Sequence, residues 1–298
     1  MTLALIVGEP MAEVIDDASG IMAGAGLGGD ALNVAVYLAR EAPALRVALA
    51  TAIGDDQASA DLLALCRAER IDVTHIRTVP GARLGAYRIR VNDGGERSFV
   101  YDRSESPYRD ALAGEDLLPD PRTVDLLLFS GISVAVARGG GRDVLLGFAR
   151  RVRDAGGLVA YDLNHRASLW ESTDDARVWL DRIAPVAGIL LASLDDGRAV
   201  LGVDAAVDLA IALRGLGIRE AVVTDGPRAC AIAAGDRVDE VEPAIPVAVV
   251  DTTAAGDAFD AGYLSARLRG QDPSTAAAAG HRAAARVVTH RGAIVPRS

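Results

Sequence analysis

One segment combines an acid with a run of small residues: Asp251-Thr252-Thr253-Ala254-Ala255-Gly256-Asp257-Ala258-Phe259. It follows the apolar run Ile245 to Val250, which reads as a buried strand, and it leads into a helical pattern that puts Phe259, Tyr263 and Leu264 on one face. A strand that turns through small residues into a helix leaves converging backbone N–H groups unpaired at the positive end of the helix dipole, and such a turn binds anions. A carboxylate in an anion site repels the anion unless it has a task there. The task consistent with Asp257 is to take a proton from an alcohol that attacks a phosphoryl group.

No lysine occurs in the chain, so all 31 basic residues are arginine. That excludes a Gly-x-x-x-x-Gly-Lys phosphate loop, a protein-kinase strand lysine and Schiff-base chemistry. Phosphate must then be bound by backbone amides, arginine and a metal.

A second segment, Gly28-Gly29-Asp30-Ala31-Leu32-Asn33, opens a helix, with Asp30 placed to cap it and the glycines letting backbone approach a ligand. The stretch Gly24 to Gly29 also matches Gly-x-Gly-x-x-Gly. A dinucleotide-binding turn should follow a strand directly, however, and residues 16–20 intervene. A third segment, Asp162-Leu163-Asn164-His165-Arg166, ends a strand, where open α/β sheets place ligands.

These motifs sit in a regular frame. Strands are expected at Leu3–Val7, Arg46–Ala52, Val124–Phe129, Leu158–Leu163, Gly188–Ala192, Ala221–Thr224 and Ile245–Val250. Helices are expected at Asn33–Arg40, Ala58–Ala68, Asp143–Asp154, Asp174–Ala184, Ala206–Leu216, Gly256–Arg267 and Pro273–Thr289. The alternation implies a mostly parallel sheet covered on both faces. One region breaks it: residues 87–91 and 97–103 alternate with period two around Asn92-Asp93-Gly94-Gly95, a β-hairpin signal. Tyr87, Ile89 and Val91 share one face there, and Phe99, Tyr101 and Arg103 share another.

Half of the 298 residues are hydrophobic, enough for a sizeable core. No apolar run reaches membrane-span length and the first residues show no basic region with a cleavage site, so a cytoplasmic protein with no membrane partner is expected. Cys66 and Cys230 have no metal-ligand spacing and read as buried thiols. A net charge of −10 argues against a nucleic-acid partner.

The Asp251 to Phe259 segment resembles the signature of the ribokinase-like (PfkB) carbohydrate kinases, and Asp-Thr-Thr-Ala-Ala-Gly-Asp also occurs in the branch that phosphorylates 2-keto-3-deoxygluconate. The resemblance spans Leu3 to Arg297. It implies a ribokinase-like α/β fold, a mostly parallel sheet sandwiched by helices, forming a single domain over 1–298 with a small β-sheet lid made by about 9–20 and 84–104. Asp257 becomes the base, and the amides of Ala255, Gly256 and Asp257 form the anion hole; Ala254, part of the same catalytic turn, stands where most of the family has Gly. Gly28, Gly29, Asn33, Tyr87, Tyr101, Arg103, Asn164 and Arg166 are implied to hold the sugar, the two arginines its carboxylate. Ser193, Thr224, Gly226, Gly256 and His281 fall to the nucleotide. The resemblance assigns Asp195 to magnesium through water, while Ala192 replaces an Asn of that motif. Asp251 and Thr253 fall to a monovalent cation such as K+, although Asp251 could equally cap a strand end. Asp102 stands where that branch usually has Trp. The implied activity is ATP- and Mg2+-dependent phosphorylation of a sugar acid by a homo-oligomer paired through its lid. A kinase for another sugar or nucleoside, a NAD-dependent oxidoreductase and an inactive sugar-acid sensor are the alternatives.

Overall fold

The computed structural model describes residues 2–16, 22–91, 97–114, 116–243 and 247–297. In chain order its strands are β1 (Leu3–Val7), β2 (Met11–Asp16), β3 (Met22–Gly28), β4 (Arg46–Ile53), β5 (Ile76–Thr78), β6 (Gly85–Val91), β7 (Arg97–Asp102), β8 (Leu126–Ser130), β9 (Leu158–Asp162), β10 (Ile189–Ser193), β11 (Glu220–Thr224), β12 (Cys230–Ala234) and β13 (Arg237–Val241). The helices are α1 (Asp30–Glu41), α2 (Gln57–Ala68), α3 (Gly131–Val136), α4 (Gly141–Asp154), α5 (Thr173–Ile183), α6 (Leu194–Leu201), α7 (Ala206–Gly215), α8 (Ala255–Leu268) and α9 (Pro273–Val287).

Two sheets result. The large one runs β13-β12-β11-β10-β9-β8-β1-β4-β5, parallel from β11 to β5, with β12 and β13 antiparallel at one edge. Its strands β1 and β8 are buried along their length and β10 in all but its last residue, as their unbroken apolar runs require. One face packs against α4, α5 and α7 through Leu145, Phe148, Trp179, Leu180, Leu209 and Leu213. The other packs against α1, α2, α8 and α9 through Leu32, Leu38, Leu62, Phe259, Leu264 and Ala283. Helices α8 and α9 approach closely at Gly262 and Gly280, where an added Cβ would meet Ala279 O at 2.8 Å and the Phe259 ring at 2.8 Å.

The small sheet runs β3-β2-β6-β7. The expected hairpin forms its β6 and β7 half, with Tyr87 opposite Tyr101, although the turn at 92–96 lies outside the described residues. Strand β3 was not expected. It takes up most of the glycine stretch, so Gly24 to Gly28 lie in a strand and form no dinucleotide-binding turn.

A second expectation also gives way. Residues 247–250 form no strand, and Val249 and Val250 are 60% and 51% exposed, so this apolar run is not a buried strand; Ile245 and Pro246 lie outside the described residues. Val250 N and Asp251 N donate to Val288 O at the end of α9. The chain passes from the large sheet to the small one through Gly8, Glu9 and Pro10, leaving β1 at its C-terminal end. Connections from β1 run to β4 on one side and from β8 to β9 on the other, so the strand order reverses between β1 and β8, the point where α/β sheets bind ligands.

Candidate active site

The C-terminal ends of β1, β8, β9, β10 and β11 present Glu9, Ser130, Asp162, Ser193 and Thr224 along one edge. Above that edge a cavity of about 850 Å³ is lined by Glu9, Gly29, Asn33, Tyr87, Tyr101, Arg103, Asn164, Arg166, Ser193, Thr224, and residues 252–257. Thus the motifs at Gly29, Asn164 and Asp257, far apart in sequence, meet at one site.

Asp257 lies in the first turn of α8. The residue before that helix, Ala254, adopts φ 60° and ψ 15°, the left-handed region that favours glycine and strains an L-residue by about 1 kcal/mol. The turn is closed by Ala255 N donating to Thr252 O at 3.1 Å. Of the three amides expected to face an anion, one is therefore taken, while those of Gly256 and Asp257 donate to no backbone carbonyl among the described residues. A Cβ at Gly256 would meet nothing within 4 Å, so the space beside these amides is open. The turn fits a phosphate: donors, dipole and room are all present.

Asn33 donates from Nδ2 to Asp257 Oδ2 at 2.8 Å, leaving the other carboxylate oxygen for a substrate. Burial, reinforced by the charge of Asp30, pushes the Asp257 carboxyl up to about 7, against the smaller opposing effects of the Asn33 hydrogen bond and Arg166. Asp30 does not cap α1, whose N-cap is Gly29 with no side-chain bond. Instead its Oδ2 accepts from Ser130 Oγ and from Asn164 Nδ2 at 3.2 Å, which holds the β8 and β9 ends to α1. Gly29 has φ 101°, and a Cβ there would meet Glu9 O at 2.5 Å. Gly28 stands below Tyr87: a Cβ would lie 2.5 Å from that hydroxyl, which donates to Glu13 Oε2 at 2.5 Å.

Arg103 is 14% exposed, and its Nε donates to Glu9 Oε2 at 2.6 Å. Its guanidinium lies over the Tyr101 ring, 4.5 Å from the centroid. Arg166 is 46% exposed; Nη1 donates to His165 O at 2.9 Å and lies 3.5 Å from Asp196 Oδ1. Both arginines face the same cavity. Asp102 does not line it; its Oδ1 accepts from Ser104 N at 3.1 Å and Ser104 Oγ at 2.6 Å, closing the turn after β7.

The residues expected at the nucleotide divide. Ser193, Thr224 and Gly256 line the cavity, whereas Gly226 and His281 do not. Gly226 has φ 55° in the loop after β11. His281 sits edge-on to Phe259 and bonds Val241 O through Nε2 at 3.0 Å. The Asp195 side chain is 90% exposed and pairs with Arg198 at 2.9 Å. Asp196 is the more enclosed neighbour, 18% exposed, accepting from Ser193 Oγ at 2.8 Å and donating its N–H to that oxygen at 3.0 Å. Burial raises the Asp196 carboxyl. Asp251 uses both oxygens: Oδ1 accepts from Thr253 N at 3.1 Å and Thr253 Oγ1 at 2.7 Å, and Oδ2 accepts from Gly292 N at 3.0 Å. It straps the turn to the C-terminal loop.

Glu9, Asp30, Asp162, Asp196 and Asp260 were not assigned site roles by sequence reasoning, yet all line the cavity. Burial, then neighbouring carboxylates, raise Asp162 and Asp260 well above the usual range. For Asp260 the signal was available, since it lies three residues after Asp257 on the same helix. Among the described residues no group of three or more His, Cys, Asp or Glu could hold a metal ion. A divalent cation such as Mg2+ needs no such group, since one or two carboxylates with water and phosphate oxygens suffice.

The chain that builds this turn and its raised carboxylate is matched over residues 1–298 by the family model described as pfkB family carbohydrate kinase. The chain is a PfkB carbohydrate kinase. A 2-dehydro-3-deoxygluconokinase of Escherichia coli K12 is 35% identical over 98% of this chain and 96% of that one. One from Dickeya dadantii is 36% identical over the same shares. Among solved structures, the aminoimidazole riboside kinase of Salmonella enterica, complexed with aminoimidazole riboside and an ATP analogue, is 26% identical with a TM-score of 0.86 over 98% of this chain and 95% of that one. PfkB kinases use ATP and a divalent cation, and the open amides and the enclosed acids of this PfkB kinase suit both. The oxidoreductase alternative is set aside by the family and by β3.

Proposed function

We propose that this kinase transfers the γ-phosphoryl group of ATP to the terminal 6-hydroxyl of 2-keto-3-deoxygluconate. The observation that carries the reading is one cavity with a raised carboxylate, Asp257, in an anion-binding turn and a stacked arginine, Arg103, lining the same space. Arginine suits a sugar carboxylate because its planar fork donates two parallel hydrogen bonds and keeps its charge. A neutral sugar offers no charge to complement it.

In this reading Gly29, Asn33, Tyr87, Tyr101, Asn164, Arg103 and Arg166 orient the sugar acid. Asn33 holds one oxygen of Asp257 so that the other takes the hydroxyl proton while the alcohol oxygen bonds to phosphorus and ADP leaves. The Gly256 and Asp257 amides and the α8 dipole face the charge that develops on the transferred group. Mg2+, when bound, would neutralise charge on the phosphates, and Asp196 is the acid that would help hold it through water. Ser193 and Thr224 take the triphosphate side, with Gly226 and His281 further out toward the base. A potassium ion beside Asp251 and Thr253 belongs to the same proposal and is tested by replacing potassium with sodium in the assay. So does a cytoplasmic homo-oligomer paired through the small sheet, whose Val100 and Tyr101 are 47% and 45% exposed.

The test is ADP release over a panel of sugar acids, ketoses and nucleosides. Turnover that is highest with 2-keto-3-deoxygluconate supports the reading; a preference for a neutral sugar moves the chain to another substrate class.

A further inference from the structure

Glu9 follows the first buried strand, is 1% exposed, and is the most deeply enclosed charged group facing the cavity. Its Oε2 accepts from Arg103 Nε at 2.6 Å, and its Oε1 lies near Ser106 but closes no hydrogen bond among the described residues. The Arg103 side chain makes no other hydrogen bond among the described residues, so both terminal amino groups are open. Its guanidinium carbon also lies over the Tyr101 ring, 4.5 Å from the centroid. One edge of the fork is anchored, an aromatic ring lies beside it, and the end that can grip a carboxylate is left unpaired. Arg166 lacks this arrangement, being half exposed and already bonded through Nη1.

We infer that Glu9 is a positioning residue for substrate acid recognition: its buried carboxylate fixes Arg103 so that the guanidinium end presents two donors to the substrate's carboxylate. The inference rests on the sugar-acid reading above. Holding the fork before the substrate arrives removes the ordering cost of a long side chain from the binding step, which appears as affinity for the acid. Glu9 also makes the head of the pocket a matched pair and not a lone buried cation, so the site binds its acid without attracting every small anion.

The test is a double-mutant cycle with Glu9→Gln and Arg103→Gln, read as kcat and KM for 2-keto-3-deoxygluconate, fructose and ATP. Glu9→Gln should raise KM for the sugar acid by about tenfold, within the range for residues in direct contact, with kcat and the ATP KM changed less than about twofold. In the Arg103→Gln background the same change should have less than about a twofold effect, because Glu9 has nothing left to hold. Equal losses in both backgrounds, or no loss from Glu9→Gln, overturn the inference while leaving the substrate reading intact. A wild type that phosphorylates fructose and not the sugar acid overturns both. Should Glu9→Gln fail to fold, Glu9→Asp keeps the charge but draws the fork back, and the same selective rise in KM is expected; an unchanged KM overturns the inference.

Discussion

Replacing Asp257 by Asn separates its chemical role from its structural burden. The change keeps the shape and an acceptor oxygen for Asn33 while removing the proton acceptor, so kcat should fall by about 10²-fold or more, the usual contribution of a general base. Stability should move the other way. A carboxyl raised from 3.8 to about 7 in the fold is favoured neutral, so its contribution is fully present below the unfolded value and is lost as pH rises through about 7. Taken in full, that difference is about 4 kcal/mol of unfavourable ionisation at alkaline pH. Because the side chain faces an open cavity, water reduces it to about 2 kcal/mol. Urea unfolding of wild type and variant should therefore agree near pH 4 and diverge toward pH 8, with the variant the more stable. In wild type, kcat/KM should fall on the acid side with an apparent pKa near 7, and that limb should be lost from the residual rate of the variant. Near-normal turnover in a folded Asp257→Asn variant, or a stability gap independent of pH, would refute the reasoning.

Three further outcomes follow from the same geometry. Gly256→Val should spare the fold, since the space beside Gly256 is open, yet cut turnover by about 10²-fold by filling the phosphate position; unchanged kcat would remove the turn from the mechanism. Arg103→Lys should lower kcat/KM for the sugar acid by about 2 kcal/mol or more and hardly change it for fructose, because charge remains and the fork is lost; proportional losses on both substrates would show that the arginine serves the fold. Asp196→Asn should raise the Mg2+ concentration needed for half-maximal rate by about tenfold, with Asp195→Asn near wild type; the reverse order would return the role to Asp195.

Much of this site was legible because its parts are local. The small-residue turn before Asp257, the glycine pair before Asn33 and the strand end at Asp162 each encode their backbone in a few consecutive residues, although among the described residues no strand directly precedes the first and Asp30 does not cap the helix of the second. Ala254 shows the limit of a motif seen as letters: its left-handed φ explains why glycine is common there. What stayed hidden depends on distance through space. Glu9 gains meaning only when β7 brings Arg103 to it across the chain. Asp195 and Asp196 are indistinguishable as a pair until α6 leaves one side chain exposed at the cavity and encloses the other. Glycine stretch Gly24 to Gly28 was open to several readings because small residues fit strands, turns and helix starts alike, and only pairing with β2 decides. The apolar run before Asp251 misled for the opposite reason: Val249 and Val250 look like core residues but are exposed.

The central claim is that this chain phosphorylates the terminal hydroxyl of a 2-keto-3-deoxy sugar acid. Incubating the purified protein with ATP, Mg2+ and 2-keto-3-deoxygluconate, and following the reaction by phosphorus NMR, tests it most directly. A single new phosphomonoester on carbon 6 is expected, formed in step with ADP and about 10²-fold more slowly with Asp257→Asn. ADP formed without that product, or a phosphomonoester made only from neutral sugars, would contradict it.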